Sequence, residues 1–304
     1  LPRQGLAKEL RMTLDTCWIV DRVSGMGHST RAVAIQSALR QDGTTVCNGG
    51  TPACPTHAKV IAVDSKVLPN RLRDAAKPTN IPIVVIDNPR FGVLARCNLH
   101  IFPHPWSAPE LTTTKTTLLS GTEYIVLHPA VHGIKPDLTH GRNFAISMGA
   151  KDPHRIAAQI LVHLHAMKYN RGVNVMYGKQ FRGLANLMGG PRPGRTHFNP
   201  FHHFFLDDVF AMASGFGLGF YEAVALGIPT VAVAHSEADD AFIRAMGSAL
   251  GYADPPAWYG GYAGALMDAD HWQQFLSAPA NNSLRLTIDP DGASRCAIAI
   301  ENLL

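Results

Sequence analysis

Three observations predict an α/β protein built of two similar domains facing one another across a cleft. Short β-branched runs alternate with helical patterns through the first half of the chain, as in a parallel sheet covered on both faces. Near Arg142 the same alternation starts again. Each half also carries a glycine-punctuated turn between a strand and a helix, the place where an open α/β sheet puts its chemistry. The boundaries that follow are 1–140 for the first domain and 141–304 for the second, with the last apolar segment, 296–304, able to pack back on the first domain.

In the first domain the candidate strands are 18–20, 59–63, 83–86 and 100–102, with helices over 30–41 and 70–76. The Pro- and Thr-rich stretch 103–115 reads as a loop leading out of the unit. In the second, Asn143-Phe144-Ala145-Ile146-Ser147-Met148 is a strand, Gly149-Ala150-Lys151-Asp152-Pro153 a turn, and 154–167 an amphipathic helix. Strand 173–176, a basic loop, strand 209–213, a second glycine-rich turn, a helix around 221–226 and strand 230–234 complete it.

Composition restricts the class. The 304 residues are 46% apolar and 16% charged, which describes a chain with a substantial core, not a disordered one. No apolar run approaches the length of a membrane span and no signal-peptide pattern opens the chain, so a cytoplasmic enzyme is expected. The five cysteines form no Cys-x-x-Cys pair and read as reduced, mostly buried thiols. Among 15 histidines, His163/His165 and His202/His203 lack the i, i+4 spacing of a helical metal pair, and neither cofactor nor metal is expected. The net charge of +4 conceals a segregation: residues 1–195 carry 24 Lys/Arg against 11 Asp/Glu, and residues 196–304 carry 3 against 12. Such asymmetry suits a partner that is itself acidic, although a solvated basic surface has the same composition.

The first turn is Val23-Ser24-Gly25-Met26-Gly27-His28-Ser29-Thr30-Arg31, which directly follows Cys17-Trp18-Ile19-Val20. Gly25 and Gly27 permit tight backbone geometry and close approach of a ligand. His28 stands at the mouth of a strand–turn–helix unit, where free N–H groups and the helix dipole favour an anion. The plainer alternative is a glycine-rich turn bearing a surface histidine.

The second turn is Ser214-Gly215-Phe216-Gly217-Leu218-Gly219-Phe220-Tyr221-Glu222-Ala223. Gly215, Gly217 and Gly219 leave backbone N–H groups to cradle a diphosphate at the helix start. Glu222, read as lying in the first turn of that helix, is suited to accept hydrogen bonds from a ribose diol. Leu226-Gly227-Ile228-Pro229 then stops the helix and opens the next strand. Phe216, Phe220 and Tyr221 read as packing residues.

These segments together resemble the GT-B-fold nucleotide-sugar enzymes, two Rossmann-like domains facing across a cleft. The nearest likeness within that group is to the UDP-sugar hydrolases of pseudaminic acid biosynthesis. Gly25 to Arg31 is similar to their G-x-G-H-x-x-R motif, whose histidine is catalytic, and Gly121-Thr122-Glu123-Tyr124-Ile125-Val126-Leu127-His128-Pro129 to their G-x-x-Y-x-x-L-R-P segment. Ser147 to Pro153 resembles their S-x-G-G-x-D-P turn, and Gly217 to Glu222 with Leu226 to Pro229 their nucleotide loop and helix. The chain departs where that family has D-H-Y, reading Asp64-Ser65-Lys66, where its diphosphate loop is hydroxyl-rich, reading Leu218-Gly219-Phe220, and where it has E-N-Q, reading Ser236-Glu237-Ala238. The nucleotide half is thus kept and the sugar-handling half rebuilt.

What the resemblance implies is a metal-independent glycosyltransferase moving a sugar from a UDP-sugar to an anionic acceptor. In this reading His28 is the general base, with Asp64 or Asp87 orienting it or serving in its place. Asp87, before Asn88-Pro89, reads equally well as a turn residue bonding its own backbone. Gly25, Gly27, Arg31, Gly149, Gly215, Gly217, Gly219 and Glu222 would hold the nucleotide-sugar. Arg22, Lys66, Arg71 and Arg73, with the loop bearing Lys179, Arg182, Arg192 and Arg195, would meet the acceptor. Phe181, His197 and Phe198 give that loop a mix suited to phosphate contact and base stacking, and a hydroxymethylated base in DNA is one acceptor of the required kind. The alternatives are a UDP-sugar hydrolase, in which His28 activates water, and a binding module that has kept the fold without the reaction.

Overall fold

The computed structural model describes residues 16–20, 26–39, 45–48, 58–64, 81–87, 97–105, 116–178, 180–262 and 265–303. Within them the chain forms two parallel sheets. The first is built of β1 (Thr16–Val20), β2 (Thr45–Asn48), β3 (Val60–Asp64), β4 (Ile83–Ile86), β5 (Leu99–Phe102) and β6 (Thr117–Ser120), in the order β2-β1-β3-β4-β5-β6. Its inner strands are apolar on both faces: Val60, Ala62, Val84, Ile86, Leu99 and Ile101 join one core and Ile61, Val63, Ile83 and Val85 the other. Two-sided burial is what the continuous runs Val-Ile-Ala-Val and Ile-Val-Val-Ile require.

Helix α1 (Met26–Ala38) packs Ala32, Ala34 and Ile35 onto the first of those faces. It begins four residues before the sequence-based start at 30, so Gly27 and His28 stand in its first turn, not in the loop ahead of it. Met26-Gly27-His28-Ser29 reads as a turn because of its glycine, yet one glycine costs only about 1 kcal/mol in a helix whose following turns bury Ala32, Ala34 and Ile35. The candidate helix 70–76, most of the loop 103–115, and Arg22, Gly25, Lys66, Arg71, Arg73 and Lys179 lie outside the described residues.

The second sheet comprises β7 (Asn143–Ser147), β8 (Gly172–Tyr177), β9 (Thr196–Pro200), β10 (Val209–Gly215), β11 (Thr230–Ala234), β12 (Tyr259–Tyr262) and β13 (Ala265–Leu266). Its order is β13-β12-β11-β10-β7-β8-β9, parallel except for the β12–β13 pair. Helices α2 (Ile156–Ala166), α3 (Leu184–Gly189), α4 (Leu218–Ala225), α5 (Glu237–Ala249) and α6 (Ala269–Ser277) connect or cover it. The final helix, α7 (Gly292–Glu301), returns to the first sheet, where Cys296, Ala297 and Ile300 share a core with Trp18 and Ile35.

Both sheets have a topological switch point, between β1 and β3 in the first and between β7 and β10 in the second. In open α/β sheets the crevice beyond the carboxyl ends at such a point is the ligand site. The two turns singled out in the sequence leave β1 and β10, and so both open at these crevices. They also meet: a Cβ built on Gly27 would lie 3.5 Å from Leu218 Cβ, the first residue of α4.

Candidate active site

The first domain supplies one polar side chain at or just beyond the carboxyl end of each of four strands. These are His28 after β1, Asp64 as the last residue of β3, Asp87 after β4 and His104 after β5. Parallel register places Val20 of β1 opposite Asp64, so the crossover into α1 swings His28 over it. His28 Nδ1 lies 2.5 Å from Asp64 Oδ1, with both residues buried. Arg31, one helical turn after His28, reaches the same carboxylate with Nε at 2.7 Å from Oδ2 and Nη2 at 2.8 Å from Oδ1. Its Nη2 also donates to Asp87 Oδ2 at 2.8 Å.

The charges follow from this geometry. Burial pushes the Asp64 carboxyl up, but attraction by Arg31 and His28 outweighs it and holds the group below the usual carboxylate range. Asp87 is also pushed up by burial, yet Arg31 and His104 hold it well below that range. The Arg31 guanidinium pays for its burial through both carboxylates and is fixed as a cation. An ionised Asp64 only accepts, so a neutral His28 carries its proton on Nδ1 and presents its acceptor lone pair on Nε2. The 3.3 Å approach of Arg31 Nη2 to His28 Nδ1 then brings two donors together and is no hydrogen bond. A histidine oriented by a buried carboxylate, with Nε2 unshared among the described residues, is the arrangement of a general base.

Asp87 does not behave as a turn residue bonding its own backbone. It adopts a left-handed φ of 58° and gives both carboxylate oxygens to other side chains, Oδ2 to Arg31 and Oδ1 to His104 Nε2 at 2.7 Å. His104 was not foreseen in the sequence, and neither was its other contact, Nδ1 to Tyr221 Oη of the second domain at 2.8 Å. Tyr221 is buried, but it is more than packing.

In the second domain the two strand-to-helix turns differ. Asp152 closes the start of α2, accepting from Ile156 N at 2.8 Å and Ala157 N at 3.0 Å, a cap worth about 1 kcal/mol. Those amides are occupied. Gly149, earlier in the same turn, has φ 76°, a left-handed conformation that favours glycine, and nothing lies within 4 Å of where its Cβ would be. Helix α4 instead has Gly217 as its N-cap residue and no side-chain cap, leaving its first amides to bind an anion. A Cβ at Gly215 would fall 2.4 Å from His235 Nε2, so a side chain there requires that imidazole to move. Gly219 has no such neighbour, its nearest being Ser214 Oγ at 3.8 Å.

Glu222 is the fifth residue of α4 and therefore in its second turn, because the helix starts at Leu218. Its carboxylate is buried and already shared: Oε1 accepts from His128 N at 3.2 Å and Oε2 lies 3.2 Å from His203 Nε2. The His128 and His203 rings stack with centroids 4.4 Å apart. A carboxylate offers about four lone-pair positions, so two protein partners leave acceptor capacity unused.

The proposed acceptor cluster is divided by the structure. Arg182 follows β8 and is exposed at the carboxyl end. Arg192 and Arg195 precede β9, and Val173 N at the start of β8 donates to Arg195 O at 2.9 Å. They therefore stand at the amino end of the second sheet, about 20 Å from the turns at a rise of about 3.3 Å per strand residue. A parallel crossover must return the chain to the end from which the previous strand began. Arg192 also spends its guanidinium on the carbonyls of Met188 and Gly190. His197 and Phe198, taken as loop residues, belong to β9. Arg192 and Arg195 are thus not cleft residues.

Two parallel sheets joined through their switch-point crevices define a GT-B-like α/β fold, and comparison with solved structures agrees. MurG from Acinetobacter baumannii superposes with a TM-score of 0.60 and 14% identity, over 95% of this chain and 99% of that one. The glycotransferase of kitacinnamycin gives 0.63 at 13% identity, over 96% and 100%. A putative UDP-N-acetylglucosamine 2-epimerase from Listeria monocytogenes gives 0.56 at 11% identity, over 96% of each chain. At such identities the likeness is one of fold. No protein-family model matches the chain, and no curated protein matches it in sequence.

Among the described residues no helix is long and apolar enough to cross a membrane, and no group of three or more His, Cys, Asp or Glu side chains is placed to hold a metal.

Proposed function

We propose that the protein is a metal-independent glycosyltransferase that moves a sugar from a UDP-sugar to an anionic acceptor, with hydroxymethylated bases in DNA as the leading candidate. The observation that carries this reading is the His28–Asp64 pair, 2.5 Å apart, set beside the uncapped start of α4. His28 Nε2 takes the proton from the acceptor hydroxyl as its oxygen attacks the anomeric carbon. The departing diphosphate gathers negative charge, which the free amides of α4 and its dipole stabilise. Glu222 accepts from the ribose hydroxyls. That the superposed structures include proteins named as glycosyltransferases supports the nucleotide-sugar part of this reading. The excess of cations over residues 1–195 supports an acidic acceptor.

The direct test is UDP release from a panel of UDP-sugars, with and without DNA containing 5-hydroxymethylated pyrimidines. Release that requires the DNA, with the mass of the sugar appearing on the base, is the expected result. Equal release without acceptor identifies a hydrolase and sinks the transfer reading. In the same assay Glu222→Gln should raise the UDP dissociation constant by about tenfold, the loss of one charge-assisted hydrogen bond. Unchanged UDP affinity in that variant removes Glu222 from the nucleotide site.

A further inference from the structure

The hydrogen-bond path from His28 does not end in its own domain. It runs through Asp64, Arg31, Asp87 and His104, in the order of the strands β1-β3-β4-β5, and then crosses to Tyr221 on α4. We propose that Tyr221 is a positioning residue for His28, acting through His104, Asp87 and Arg31, so that the base is aligned only while α4 is docked on the first domain. The proposal rests on the reading of His28 as the base.

Each link constrains the next. Asp64 is shared between His28 and Arg31, and Arg31 divides its guanidinium between Asp64 and Asp87. If Asp87 withdraws, the guanidinium is no longer held between two anions and turns toward Asp64, competing with His28 for Oδ1. Asp87 keeps its left-handed backbone while its oxygens are pinned on two sides, by Arg31 and His104. His104 is held from both domains: in the first, Asp87 takes its Nε2–H and Phe102 meets the ring edge-on with centroids 4.6 Å apart, and the second domain fixes its other side. Its ring lies parallel to Phe242 of α5, 5.9 Å between centroids and 18° between planes, and Tyr221 Oη sits 2.8 Å from its Nδ1.

The proton positions are fixed by the same logic. Asp87 accepts from Nε2–H, so a neutral His104 presents Nδ1 as an acceptor for the Tyr221 hydroxyl at 2.8 Å, a far shorter contact than that hydroxyl's other one, 3.9 Å to Met246 Sδ. Tyr221 is flanked by Phe220 and by Glu222, and its ring packs against Phe216 and Phe220. A purely apolar role there would not need a hydroxyl. The helix whose free amides would hold the diphosphate thus also carries the group that anchors the relay.

The test uses Tyr221→Phe, which keeps the ring and removes only the hydroxyl. Turnover (kcat) should fall about tenfold with the donor KM within about twofold. The proton on His28 Nδ1, in a short hydrogen bond to a carboxylate, should give a low-field NMR resonance that moves upfield in the variant. His104→Gln, which retains an amide donor for Asp87, should keep more activity than His104→Ala. A wild-type kcat with an unmoved resonance overturns the proposal, as does a loss confined to KM. The resonance is read without substrate, so the two readings fail separately. If His28→Ala keeps turnover while Tyr221→Phe shifts the resonance, the positioning stands and the base assignment falls.

Discussion

Replacing His28 with alanine is expected to lower turnover by about a thousandfold while leaving the donor dissociation constant within about twofold. The size follows from what is removed. Asp64 stays ionised beside Arg31 in the variant, but no group remains that can both accept the acceptor's proton and be oriented to do so. Binding is spared because the groups assigned to the nucleotide, the start of α4 and Glu222, belong to the other domain. Truncation also leaves Asp64 with its guanidinium partner, so the fold should survive and the loss can be read as chemistry. Turnover at wild-type level would mean that another group takes the proton, Asp64 being the nearest carboxylate on the path and Asp87 the next. Isothermal titration with UDP beside a steady-state UDP-release assay separates the two quantities.

The parts of this site legible in the sequence are those fixed by strand ends. Val-Ile-Ala-Val-Asp and Ile-Val-Val-Ile-Asp announce buried parallel strands ending in a carboxylate, and a parallel sheet brings successive strand ends together, so Asp64 and Asp87 could be placed near His28. The start of α1 is not legible because glycine reads as a turn, whereas the burial of Ala32, Ala34 and Ile35 carries the helix back through Gly27. Strand β9, Thr-His-Phe-Asn-Pro, has little β-branched character and ends in proline. Without it, the sequence groups Arg192 and Arg195 with Arg182 in one acceptor-facing loop, although β9 places them at the opposite end of the sheet. His104 and Tyr221, 117 residues apart, carry no local signal at all. Their pairing depends on how two domains dock, which periodicity within either domain does not encode.

Arg31→Met is expected to destabilise the protein by about 3–5 kcal/mol at neutral pH, the range for breaking a buried ion pair by removing one partner. Methionine fills similar space, so the loss is electrostatic: Asp64, fully buried, and Asp87 would face one another with no cation between them. The pH dependence gives a sharper signature than the magnitude. In the native protein both carboxyls are held below their unfolded value of about 3.9. They contribute stability above that value and lose it as pH falls through the lower folded values. Without Arg31 burial dominates and raises them, so the sign reverses: a penalty present above the raised value is relieved as the groups take up protons. The stability gap between variant and native protein should therefore narrow on acidification from pH 7 to pH 5, measured as urea midpoints across that window. A gap constant with pH would mean that the carboxylates are solvated in the variant and that Arg31 does not hold them. Arg31→Lys should recover only part of the loss. One ammonium lacks the planar fork that lets the guanidinium take Oδ1 and Oδ2 of Asp64 while also bonding Asp87. Arg31 is therefore asked for more than charge at this position: its shape keeps two carboxylates apart and leaves one of them correctly turned toward His28.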